Sequence, residues 1–194
     1  MRPIQRNEIL PIGDYEGIRP RFRARVIEEK QARRVKLGEH LSAVFENRDS
    51  VLLQIEEMLR IERITSEPAI LHEMETYNAL VPAAGELSLT LFVEIADKET
   101  RSHALVELAG LEDHVAIEVE GELYRAKYER PPGFQEGRTT AVHYLKLPLP
   151  PAAVAALAAR RARAALVVDH PRGAARAELG RETLAKVAED LGAP

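Results

Sequence analysis

Between Phe45 and Asn78 the chain carries more multi-bond polar side chains than solubility requires. Glu57 and Arg60 are three positions apart, so a helix would put them on one face. Tyr77 and Asn78 close the next amphipathic segment, and Glu94 lies in an alternating stretch beyond it. Arginine offers a planar fork of donors, a carboxylate accepts, and asparagine does both. Glu57, Arg60, Tyr77, Asn78 and Glu94 are therefore the candidate ligand-binding set, suited to a polar small molecule or to a partner's backbone. A perturbed carboxylate among them could also serve as an acid–base catalyst. The same residues would serve equally to lock two helices together. A second set, Arg33, Arg34, Glu46, Asn47, Arg48, Gln54 and Glu62, reads as a structural charge network. Arg48 and Glu62 fall in the apolar stripe, where an unpaired charge is costly.

Other chemistries find little support. The six histidines, at 40, 72, 103, 114, 143 and 170, form neither His-x-x-x-His nor Glu-x-x-His. Glu57, Glu62, Glu75 and Glu94 could converge as a di-iron-like carboxylate cluster, but such sites usually add histidine at i+3. No metal and no cofactor is expected. The chain has no cysteine, which excludes disulfides, thiol catalysis and cysteine-held zinc or iron–sulfur clusters. Neither a nucleophile elbow nor a phosphate-binding glycine loop occurs.

The elements that must position the candidates follow from pattern. Residues 1–18 read as an arm punctuated by Pro3, Pro11, Gly13 and Gly17, with a helix over about 20–36 opened by Pro20 and stopped at Gly38. Residues 40–46 are ambiguous between strand and helix. Asn47, Asp49 and Ser50 are good N-caps for a helix over about 50–64, whose apolar face is Val51, Leu52, Ile55, Met58 and Leu59. A further helix runs from about 66 to Leu80. The period then changes to two, and Leu87, Leu89, Leu91, Val93 and Ile95 predict a half-buried strand. A helix over 98–109, strands over 115–119, 123–127 and 140–147, a helix over 151–162, a strand over 164–169 and a helix over 181–191 complete the chain. This is an α+β pattern: a helical N-terminal half packed on a mixed, mainly antiparallel sheet, as one domain of 194 residues with a mainly helical part to residue 82.

Charge is divided along the chain. Over 19–36 eight basic residues stand against Glu28 and Glu29, while over 39–75 nine acidic residues stand against three arginines. Docking of these elements on each other predicts a carboxylate from 46–75 beside Arg33, Arg34 or Arg48. A polyanion-binding surface on 19–36 is the alternative. The net charge of −4 argues against nucleic acid as the main partner. The first residues lack the apolar run of a signal peptide, and no stretch is long and apolar enough to span a bilayer, so a soluble cytoplasmic protein is expected.

The strings Arg33-Arg34-Val35, Phe45-Glu46-Asn47-Arg48, Gln54 with Glu57-Met58-Leu59-Arg60 and Glu62-Arg63-Ile64, Tyr77-Asn78-Ala79-Leu80-Val81-Pro82 and Glu86-Leu87-Ser88 resemble the bacterial family filed as domain of unknown function 3501. The resemblance spans nearly the whole chain and brings no activity with it. What it implies is company: such genes often stand near those of rubrerythrin-type and iron–sulfur oxidoreductases. That suggests a non-catalytic accessory protein with an oxidoreductase-type partner, with a carboxylate-based metalloprotein or enzyme as the rival reading.

Overall fold

The computed structural model describes residues 1–130, 133 and 135–192. A short arm with a single 3-10 turn leads into α1 (Ile12–Arg33), which passes directly into β1 (Arg34–Leu37). A tight hairpin turns the chain into β2 (Leu41–Glu46), and α2 (Arg48–Ile61) and α3 (Glu67–Asn78) follow. β3 (Glu86–Val93), α4 (Lys98–Glu107), β4 (Val115–Val119), β5 (Glu122–Arg125) and β6 (Val142–Pro148) come next. α5 (Pro151–Ala158), β7 (Ala164–Val168), β8 (Ala175–Glu178) and α6 (Arg181–Asp190) end the chain.

The strands form two four-stranded sheets, ordered β1-β2-β3-β6 and β5-β4-β7-β8, and every pairing is antiparallel. They share one apolar core, with Val35, Phe45, Leu89 and Leu145 from the first sheet and Ile117 and Leu166 from the second. The sheets also meet at their margins. β1 lies beside β8, and just past β5 Lys127 exchanges both backbone hydrogen bonds with Lys146 of β6, at 2.7 and 2.9 Å. A second core, including Ile9, Val51, Ile55, Leu59 and Met74, holds α2, α3 and the N-terminal arm together.

Two expectations about the N-terminal third are corrected. The helix begins at Ile12, so Gly13 and Gly17 lie inside it, and Pro20 sits mid-helix rather than at its start. Pro20 is exposed, so the carbonyl it leaves without a donor can reach water. At the other end, residues 34–37 leave the helix. Val35 and Leu37 point into the core while Arg34 and Lys36 point out, the alternation of a strand. Gly38 takes φ +67° and serves the hairpin turn, not a helix stop.

α2 starts where its caps require. Asn47 Oδ1 accepts from Ser50 N–H at 2.8 Å, and Ser50 Oγ accepts from Asn47 N–H at 3.0 Å. β3 is buried on both faces, not one. The shared core covers one side, and α1, which packs against β2, helps cover the other.

Candidate functional site

The five candidate residues occupy three places. Glu57 and Arg60 lie on α2 facing α1. Glu57 accepts from Arg19 Nε at 2.6 Å and Nη2 at 3.0 Å, and from the Tyr15 hydroxyl at 2.6 Å. Arg60 approaches Glu57 and Glu16, each at 3.5 Å. The Arg19 hydrogen bonds hold the Glu57 carboxyl down at about 2, with Tyr15 helping and burial opposing. Burial, then the bond to Glu57, pushes the Tyr15 phenol up. A carboxylate so fully engaged fastens α1 to α2.

Asn78 ends α3 and grips the N-terminal arm. Its Oδ1 accepts from Ile4 N–H at 2.8 Å, and its Nδ2 donates to the Ile4 carbonyl at 3.0 Å. Tyr77 packs on the helical core, and burial, then nearby Tyr144, raises its phenol. Glu94 follows β3 and pairs with Arg34 of β1 at 3.1 Å. The structure thus joins Glu57 to Arg60, and gives Asn78 and Glu94 separate partners.

The charge network has different partners from those the sequence suggests. Arg33 binds Glu29 and Asp190, Arg34 binds Ser42 and Glu94, and Arg48 binds Glu8 and the Arg2 carbonyl. None of these carboxylates comes from 46–75. The basic helix does dock on acidic residues of that range, but through Arg19–Glu57, Arg25–Asp49 and Lys30–Glu46. These pairings engage much of the basic face of 19–36. Glu62 is exposed at the C-cap of α2.

Glu46 proves to be the end of β2 and is buried to 2 % exposure. It accepts from Ser50 Oγ, from Thr90 Oγ1 at 2.7 Å and from Lys30 Nζ at 3.4 Å. Buried Gln54 Oε1 has no hydrogen-bond partner among the described residues. The same node reaches Tyr144 of β6. Burial and then Glu46 raise its phenol, while a hydrogen bond from Gln54 opposes them.

Tyr144 lines a cleft of about 630 Å³, with Leu80 beyond α3, Glu86 of β3, Lys127 to Glu129 beyond β5, and Val142 and Lys146 of β6. Lys146 Nζ is held by Glu86 at 3.0 Å and by the Val81 carbonyl at 3.0 Å. Val142 and Tyr144 are about two-fifths exposed, at 41 % and 39 %. Sequence reasoning missed this cleft. Its residues come from four places along the chain, and only the alternation that puts Val142, Tyr144 and Lys146 on one face of β6 was available as a signal.

Among the described helices none is long and apolar enough to cross a membrane. No curated protein matches the chain. A crystal structure of a novel protein of unknown function from Burkholderia pseudomallei K96243 is similar to it, at 33 % identity and a TM-score of 0.90, covering 98 % of this chain and all of that one. The family model for the protein of unknown function DUF3501 matches residues 3–191, and the chain belongs to that family.

Proposed function

We propose that this is a non-catalytic accessory protein that binds a partner through the cleft beside β6. The observation that carries the reading is the composition of that cleft. Its walls are largely apolar, and the Lys146 ammonium is already engaged by Glu86 and the Val81 carbonyl. Such a wall is held rigid for recognition rather than left free to move protons. Glu57, offered by the sequence as a site residue, is saturated by Arg19 and Tyr15. An oxidoreductase-type partner is proposed from the family resemblance alone.

Crosslinking in the protein's own host tests the reading. Wild type should capture an oxidoreductase-type partner. Val142→Asp, at an exposed wall position, should lose it while keeping its thermal stability. Arg60→Lys, which keeps the charge at the α1–α2 junction, should retain it. Capture unchanged by Val142→Asp would overturn the proposal.

A further inference from the structure

β6 is fully paired on one side only, and its register defines what the other side offers. The Ala141 carbonyl accepts from Val93 N–H, and Leu149 N–H donates to the Gly85 carbonyl. Odd-numbered residues of this stretch therefore bond to β3. Antiparallel pairing alternates, so even-numbered residues send both N–H and C=O the other way. Lys146 does so, and both of its groups meet Lys127. Beyond that bridge the chain leaves β6, and the cleft fills the gap. The N–H and C=O of Tyr144 and the N–H of Val142 face this gap without a partner among the described residues. The Val142 carbonyl is taken by Thr140 Oγ1 at 2.8 Å.

From these groups we infer that β6 accepts an extended peptide segment of a partner protein as an added antiparallel strand. The inference rests on the binding reading above and names the occupant's chemistry. A residue set opposite Tyr144 exchanges two hydrogen bonds with it, which a compact small molecule cannot match along a strand. About four residues, roughly 13 Å, span the open edge. Side chains opposite Val142 and Tyr144 fall on the same face as they do, against Leu80, so these two positions are apolar. Lys127 at the closed end and Glu129 further along carry charges without a partner among the described residues. An antiparallel strand enters at the Lys127 end, so an acidic residue precedes the apolar pair and a basic one follows it.

The probe is a doubly capped peptide of aspartate, valine, threonine, valine and lysine, titrated by calorimetry into the full chain. Wild type should bind it. Methylating the amide of the first valine removes the donor to the Tyr144 carbonyl and should weaken binding about tenfold or more. Val142→Pro removes an outward N–H but no bond to β3, and should weaken it similarly while the protein stays folded. Exchanging the aspartate and lysine should also weaken it. Equal binding of the methylated peptide would overturn the inference whatever becomes of the proline variant. So would self-association through β6 in sedimentation. If wild type ignores the peptide while Val142→Asp still abolishes partner capture, the added strand is wrong and the binding reading stands. If Val142→Asp leaves capture intact as well, both fall.

Discussion

Arg33 and Asp190 meet in a buried two-armed ion pair, Nη1 to Oδ2 at 2.5 Å and Nη2 to Oδ1 at 3.0 Å, joining the last turn of α1 to the last turn of α6. Both side chains are only 2 % exposed. Removing one partner strands the other charge away from water. Asp190→Ala should therefore cost about 3–5 kcal/mol in urea unfolding. A loss below about 1 kcal/mol would show that Glu29, the other carboxylate on Arg33, suffices alone.

The Glu57 carboxyl should make stability depend on acid in a defined direction. Its folded-state value, about 2, lies below the ordinary 4.5. The stabilisation is thus complete above about 4.5 and fades as pH falls toward 2. Wild type should exceed Glu57→Gln most above pH 4.5, and the gap should narrow through that window. A gap independent of pH would place the effect in packing rather than charge.

Asn78 should act on the N-terminal arm. Asn78→Ala removes two hydrogen bonds to Ile4 and should cost about 1–2 kcal/mol. The arm should then be cleaved faster in limited proteolysis. Asn78→Asp can still accept from the Ile4 amide and should fall between the two. Unchanged cleavage in the alanine variant would mean that the buried Ile4 and Ile9, with the Arg48 bonds to Glu8 and the Arg2 carbonyl, hold the arm without Asn78.

The buried Glu46 node predicts a cost for a nearly isosteric change. Thr90→Val removes the donor at 2.7 Å and leaves the carboxylate under-bonded, for about 1–3 kcal/mol. Thr90→Ser keeps the hydroxyl and should recover most of it. Unchanged stability in Thr90→Val would show that Ser50 and Lys30 satisfy the Glu46 carboxylate without Thr90.

How legible all this was depended on whether a signal was local. α2 was legible because Asn47 and Ser50 cap it and Val51, Ile55 and Leu59 recur at helical spacing. β1 was not. Arg33, Arg34 and Lys36 continue a run of good helix formers, and only the pairing of 34–37 with 41–44 makes a strand of it. β8, Ala-Arg-Ala-Glu, has no β-branched residue to announce it. Glu57 and Arg60 were rightly placed on one helical face, but what that face meets is a tertiary fact, and it meets Arg19, Tyr15 and Glu16. The cleft assembles residues far apart in sequence, which no local pattern encodes.

The ladder between β2 and β3 bears on where the chain can be cut. It pairs residues 41–46 with 88–93 at six positions, across the α2–α3 excursion. Expression of residues 83–194 alone would strip β3 of that neighbour and expose the backbone groups of a strand rich in leucine. Such an edge templates intermolecular pairing. The fragment should accumulate in inclusion bodies, and co-expression with residues 1–82 should bring it back into solution.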